Sequence, residues 1–244
     1  MLRPFFTFYG GKWRAAPHYP EPQHKTIIEP FAGSAGYSMR YPHKNVILVE
    51  KDPYIAGTWK YLLNTTPEEI LKLPNIALDQ SVDDLKICEE EKWLIGWWLM
   101  AAASKPNKRP SGWMRRANLP GCKWHTVGSW WGDKIKQRIA QQIPLIQHWK
   151  LIEGDYSDAP DMEATWFVDP PYQVQGKSYT YGSKLLEYNK LASWCLQRKG
   201  LLMVCEQQGA TWLPFAPFRE IRAATKKGGV ARVSKEVLFL KDST

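Results

Sequence analysis

Asp169-Pro170-Pro171-Tyr172 follows directly on the apolar run Thr165-Trp166-Phe167-Val168. Such a run predicts a buried strand, and an acid, two stiff residues and an aromatic ring stand at its carboxyl tip. Open α/β sheets carry their ligands at that end. Proline fixes φ and has no backbone N–H, so the Asp169 carboxylate and the Pro170 carbonyl are held as bare acceptors. Two acceptors beside a flat ring suit a planar, amino-bearing base. The acceptors hold its NH₂ group and Tyr172 stacks on its face. The same four residues also suit a proline-rich turn in which Asp169 caps the backbone.

Other segments are fit to complete such a site. Phe8-Tyr9-Gly10-Gly11-Lys12 is a tight glycine turn with one aromatic and one cation. A short strand, 26–29, precedes the small residues of 32–38, which let the backbone approach a ligand closely with a helix N-terminus directed at it. A second strand, 46–49, ends in Glu50. An acid there, roughly 20 residues beyond a glycine turn, is placed to bind ribose hydroxyls. This is a nucleoside-binding βαβ unit, which by itself could equally hold NAD.

The middle breaks the alternation. Thr66-Pro67-Glu68-Glu69 predicts a helix start, with Thr66 as N-cap and proline in the first turn. A second helix is expected from Ser81 to about Ser104, with Trp93, Trp97 and Met100 at helical spacing as core. Residues 105–132 read as loop or hairpin. A further helix begins near Asp133, carries Ile135, Ile139 and Ile143 on one face, and ends at Pro144. Strands resume at Lys150 and at 201–205, a helix lies around 188–198, and 226–240 reads as a closing hairpin.

The 244 residues carry a net charge of +9, which favours a polyanionic partner. Its placement says more than its sum. No Asp or Glu lies between Lys92 and Gly132, where Lys92, Lys105, Lys108, Arg109, Arg115, Arg116 and Lys123 stand among seven of the thirteen tryptophans. Cations interleaved with aromatics suit phosphate and base contact. Among those tryptophans, Trp113 and Trp124 are the ones open to such contact. Lys226, Lys227, Arg232 and Lys235 in the hairpin suit a backbone clamp or a plain solvated surface. No apolar stretch approaches the ~18 residues that span a membrane, and the first residues lack signal-peptide order. Cys88, Cys122, Cys195 and Cys205 form no CxxC pair, as expected of reduced thiols in a cytoplasmic protein. Cys122 and His125 have no second pair, so no metal site is expected.

YGGK at Tyr9–Lys12, EPFAGSAG at Glu29–Gly36 and DPPY at Asp169–Tyr172, in that order, resemble the motifs of the Dam-type, alpha-group DNA adenine-N6 methyltransferases. The resemblance covers 8–56 and about 149–240. It implies an α/β fold with a Rossmann-like sheet of seven strands, S-adenosylmethionine as methyl donor, and a target adenine flipped out of double-stranded DNA. The catalytic domain would comprise 1–56 and 149–244, and 57–148 a mainly helical target-recognition insertion. By motif, Tyr9, Gly11 and Lys12 would line the donor pocket, with Phe31, Ala32, Gly33 and Ser34 along its methionine part. Glu50 would take the ribose hydroxyls, Asp155 would lie by the donor's adenine, and Asp169 would face both donor and target. Asp169, Pro170, Pro171 and Tyr172 form the catalytic motif.

Lys105, Lys108, Arg109, Arg115, Arg116 and Lys123 would contact DNA, with arginine suited to guanine edges and lysine to phosphates. Two departures stand out. The family's F-x-G-x-G has glycine where this chain has Ala35, which puts a methyl where backbone nears the donor. After the fifth strand the small polar residues are missing, and Glu206 reads as a surface acid. The resemblance implies a monomer in the cytoplasm, nucleoid-associated through DNA, with any restriction endonuclease a separate chain. Three other readings share some of these features: methylation of RNA or of cytosine N4, a non-catalytic DNA-binding relative, and an NAD-dependent oxidoreductase. The last should show a full GxGxxG and a placed proton donor, and neither is visible.

Overall fold

The computed structural model describes residues 1–101, 103–117, 130–174, 182–227 and 230–242, with the side chains of 113, 116, 117, 221–227 and 230–234 outside the description. Seven strands form one mixed sheet: β1 (Thr26–Glu29), β2 (Asn45–Glu50), β3 (Lys150–Glu153), β4 (Thr165–Val168), β5 (Leu202–Gln207), β6 (Ala216–Lys227) and β7 (Val230–Lys241). Their order is β3-β2-β1-β4-β5-β7-β6. The first five strands are parallel, and β7 runs antiparallel between β5 and β6. β4 is buried along its whole length and β5 along all but its last residue. That burial on both faces is why Trp166-Phe167-Val168 and Leu202-Met203-Val204 read as unbroken apolar runs. The strand order reverses direction between β1 and β4, which opens a crevice outside their carboxyl ends.

Among the described residues six α-helices accompany the sheet: α1 (Pro53–Asn64), α2 (Pro67–Lys72), α3 (Glu89–Trp97), α4 (Gly112–Ala117), α5 (Asp133–Gln142) and α6 (Tyr188–Leu196). The expected capping box starts α2, with Thr66 Oγ1 accepting from Glu69 N and the Glu69 carboxylate from Thr66 N. The expected limit at residue 57 falls inside α1, which packs over β2 and β3. One apolar core joins Ile27, Leu48 and Phe167 of the sheet to Trp97, Ile135 and Ile139 of the middle segment.

The long helix expected from Ser81 is interrupted. Ser81 closes only one 3₁₀ turn, Val82–Asp84, and the Val82 N–H donates to the carbonyl of Lys108. α3 starts afresh after Cys88, where three acids, Glu89, Glu90 and Glu91, favour a helix N-terminus. It stops at Trp97 because remote groups take its last carbonyls. Asn107 N–H donates to Gly96 O, and the Thr7 hydroxyl to Trp97 O. Met100 therefore lies outside the helix and is exposed, Trp93 is half-buried, and Trp97 alone of the three is fully buried. In the segment expected as loop, 112–117 forms α4.

Between β1 and β2 the expected helix is likewise absent. Only one 3₁₀ turn, Ser38–Arg40, fits before Pro42. The Ser38 N–H, which a longer helix would direct at a ligand, donates to the Glu29 carboxylate at 2.7 Å.

Candidate active site

An open cleft lies at the β1/β4 switch point, the place where open α/β sheets bind ligands. Tyr9, Gly11, Lys12, Phe31, Ala32, Gly33, Ser34, Glu50, Asp155 and Asp169, expected from five separate segments, all line it. Strand ends supply the acids: Glu29 ends β1, Glu50 ends β2, and Asp169 follows β4.

The turn after β1 is bent by two positive φ angles, +47° at Gly33 and +50° at Ala35. Ala35 N–H donates to Ala32 O at 2.7 Å, and Trp59 Nε1 ties down Gly33 O at 2.7 Å. The methyl of Ala35 does not face the cleft. It is fully buried in the core, while its neighbours Gly33, Ser34 and Gly36 line the cleft. The indispensable hydrogen is at Gly36, where a Cβ would come within 2.5 Å of Trp13 N and 2.8 Å of Lys12 C. Gly36→Ala is therefore expected to cost more than ~2 kcal/mol. Ala35→Gly should change stability by less than about 1 kcal/mol, because relief of left-handed strain is offset by lost burial and a freer unfolded chain. Thermal unfolding of the two variants checks the contrast.

Lys12 and Asp169 form the centre. Lys12 Nζ lies 2.6 Å from Asp169 Oδ1 and 2.7 Å from Oδ2, with side-chain exposures of 8% and 19%. Burial raises the Asp169 carboxyl, and Lys12 opposes that rise. Burial alone would lower the Lys12 ammonium, but Asp169 reverses the direction and it is raised. Lys12 Nζ also sits 4.8 Å from the centroid of the Tyr172 ring, a cation–π contact. Tyr188 donates its hydroxyl to Pro171 O at 2.6 Å. Pro171 lines the cleft, whereas Pro170 is buried and Tyr172 half-buried outside that lining.

Glu50 is already an organiser. Its Oε2 accepts from Gly33 N, and its Oε1 accepts from Lys51 N and Asp52 N, all at 2.9 Å. Burial lifts its carboxyl to about 7 against those bonds. A carboxylate has about four lone-pair sites, so Oε2 retains capacity toward the cleft. Asp155 starts the 3₁₀ turn Tyr156–Asp158 and pairs with Lys51 at 3.0 Å.

Three acids and an aromatic belong to this region although only the fold discloses their part. Glu29 is 2% exposed, lines the cleft, and is pushed up to about 8 by burial, opposed by its bonds from Ser38. A carboxyl raised in the folded state stabilises fully below its unfolded value near 4.5 and loses that contribution as pH rises through about 8. Glu29→Gln, which keeps an acceptor for Ser38 N, should remove that slope. It is expected to be more stable than the parent at pH 8, by an amount on the order of 3–5 kcal/mol, and to match it near pH 4.5. Melting curves of both proteins across that range test this.

Glu206, expected at the surface, is fully buried. It accepts from Gln173 N at 2.8 Å, Trp212 Nε1 at 3.0 Å and Gln207 N at 2.7 Å. It thereby fastens the chain just past Tyr172 to the tip of β5. Glu236 on β7 is also buried, and its carboxyl is raised by burial within reach of Lys12 and Asp169. Tyr156 stacks on Phe31 at 5.5 Å along one wall. An acid ending each apolar run was the available signal for Glu29 and Glu206. Their burial depends on loops remote in sequence.

No protein-family model matches the chain, and no curated protein matches it.

The basic loop is partly engaged within the fold. Lys108 pairs with Asp83 at 2.8 Å and Lys92 with Glu89 at 2.8 Å. Lys105 stands 6.0 Å from the Tyr54 ring, and Lys105, Arg109 and Arg115 are exposed. Ser104, next to Lys105, lines the cleft. Trp97, Trp98 and Trp131 are core residues rather than base contacts, and the Nε1 of Trp131 donates to Pro74 O. The side chains of Trp113 and Arg116, and all of Lys123, Trp124 and the Cys122/His125 pair, lie outside the described residues. Among the described residues no group of three or more His, Cys, Asp or Glu could hold a metal, and no helix is long and apolar enough to cross a membrane.

Proposed function

We propose that the protein is an S-adenosylmethionine-dependent methyltransferase acting on the N6 amine of a flipped-out adenine in double-stranded DNA. The observation that carries this reading is a convergence. The glycine turns, Glu50, Asp169 and Pro171 meet in one cleft at the switch point of a seven-stranded sheet, with Lys12 beside Asp169. Glu50 beside Gly33 offers a carboxylate for ribose hydroxyls, and Phe31 with Tyr156 offers a flat apolar wall. The charge of +9 and the exposed Lys105, Arg109 and Arg115, in the segment that follows Ser104 of the cleft lining, favour a nucleic-acid substrate.

The donor, when bound, supplies a methyl group made electrophilic by its sulfonium. The residues of the chain then do three things. Asp169 and the Pro170 carbonyl accept the two N6–H bonds, which frees the nitrogen lone pair from ring conjugation and aims it at the methyl carbon. Tyr172 stacks on the extruded base, offsetting ~1–3 kcal/mol of the cost of unstacking it. Lys12 holds the Asp169 oxygens in place, and the remaining lone pairs of the carboxylate stay open to the amine. As the N–C bond forms the S–C bond breaks, its electron pair passes to sulfur, and the methylated nitrogen sheds a proton. The Asp169 carboxylate, raised by burial, would take that proton. Most of the acceleration is alignment and fixed electrostatics.

Glu206 is a positioning residue in this scheme. Glu206→Ala is expected to lower kcat by about 10- to 100-fold and to cost ~2–3 kcal/mol of stability, because the buried Trp212 Nε1 and the half-buried Gln173 and Gln207 N–H groups lose their acceptor. The donor dissociation constant should stay within about twofold, and an equal loss in donor binding would assign Glu206 a merely structural part.

The reading is tested by calorimetric titration with S-adenosylmethionine, followed by transfer of its tritiated methyl group to duplex DNA and to RNA. Binding weakened at least tenfold by Glu50→Ala, with label entering DNA, is the expected result. No binding, or label in RNA alone, would overturn it.

A further inference from the structure

The β6–β7 pair outgrows the sheet. β5 pairs with β7 only as far as Gln207↔Glu236, with one last bond from Gln208 N–H to Lys235 O. β6 and β7 continue to pair through Ile221↔Ser234 and Arg222↔Val233, past an irregularity, to Lys227↔Val230. Because β7 is antiparallel to β5, this two-stranded ribbon projects beyond the carboxyl edge of the sheet, the edge at which Asp169 stands. Six residues from Glu236 to Val230 at ~3.3 Å each give a reach of about 20 Å.

Its composition is one-sided. Between Glu220 and Glu236 the chain has Arg222, Lys226, Lys227, Arg232 and Lys235 and no acid. Among the described residues no third strand pairs with 221–227 or 230–234. A free two-stranded ribbon is marginal in water, and its bare edges are a liability unless something covers them. The root, by contrast, is anchored. Phe218 stacks on Tyr19 at 4.7 Å, and Tyr19 meets Phe167 of β4 at 5.0 Å. Glu220 pairs with Lys235 across the strands at 3.4 Å. Buried Glu236 lies in the electrostatic field of Lys12 and Asp169. The arm is therefore anchored near the catalytic motif and, among the described residues, paired with no third strand beyond it.

We propose that this ribbon is a DNA-binding arm that lies in the major groove beside the target base. Resting on the function proposed above, it supplies phosphate and base contacts from the β6 edge of the sheet. The loop after α3 supplies others from the opposite end, where α3 packs on α1 and α1 on β2 and β3. The major groove, ~12 Å wide, admits a two-stranded ribbon. A-form RNA, whose major groove is deep and narrow, does not.

The test compares the intact chain with Lys226→Ala/Lys227→Ala/Arg232→Ala and with a control, Lys25→Ala/Lys150→Ala, placed at the amino ends of β1 and β3. Binding of a short fluorescent DNA duplex, without donor, is measured between about 50 and 200 mM salt, and donor binding and melting are followed in parallel. The triple variant should lose up to about 2.7 from the slope of log K against log salt. Its DNA affinity should fall at least tenfold, with donor binding and melting temperature unchanged. The control should behave as the parent. An unchanged slope in the triple variant, an equal fall in the control, or equal ribbon-dependent binding to an RNA duplex would overturn the arm. Ribbon-dependent DNA binding without methyl transfer would instead refute the catalytic reading and leave the arm standing. Methyl transfer that survives with an unchanged slope would do the reverse.

Discussion

Asp169→Asn is expected to reduce methyl transfer by about 10³-fold or more while donor binding persists. The substitution preserves shape and one carbonyl oxygen, and an amide NH₂ replaces the other oxygen. That NH₂ faces either Lys12 Nζ, which now lies within 2.7 Å of both oxygens, or the incoming N6 amine. In each case donor meets donor. The amine loses the acceptor that aims its lone pair, and the product loses the carboxylate that would take its proton. Removing one preorganised electrostatic contact costs 10²–10³ in kcat, and Asp169 performs two tasks. Single-turnover transfer, read beside calorimetric donor binding, separates chemistry from binding. A variant that retains more than a tenth of the parent rate would show that Asp169 is a turn residue.

The second large effect concerns folding. Lys12→Met leaves the Asp169 carboxylate buried without its cation, and breaking a buried pair by removing one partner costs ~3–5 kcal/mol. The sign of its pH dependence follows from the same geometry. Burial already raises the Asp169 carboxyl, and Lys12 is the first influence opposing that rise. Without Lys12 the folded value climbs further above the unfolded one. The stability contribution is then greatest below the unfolded value near 3.8 and is lost as pH rises through the folded value. Lys12→Met should therefore lie furthest below the parent in melting temperature at neutral pH and approach it in acid. Lys12→Met/Asp169→Asn, with neither charge buried, should be more stable at neutral pH than Lys12→Met alone. A pH-independent loss would place the role of Lys12 in packing.

The strands of the parallel sheet were legible because chemistry and burial coincide at their tips. Apolar runs that end in Glu29, Glu50 and Asp169 mark both a strand and the place where its acid emerges. The capping box of α2 was equally plain, because every group in it lies within four residues. The failures share one cause. α3 ends where Thr7 and Asn107 capture its carbonyls, contacts about 90 and 10 residues away that periodicity does not see. Glu206 looks like a surface acid until Gln173 and Trp212 are folded onto it. Ala35 occupies a left-handed backbone position that favours glycine, with its methyl turned into the core, and Gly36 provides the close approach. Residue type disclosed which groups could act, and long-range satisfaction of polar groups decided which were free to do so.

The most direct measurement is nucleoside mass spectrometry of plasmid DNA incubated with S-adenosylmethionine and either the intact protein or Asp169→Asn. The proposed chemistry predicts N6-methyldeoxyadenosine with the intact protein and none above background with the variant. Methylated cytosine in place of adenine, or equal N6-methyldeoxyadenosine from both proteins, would contradict it.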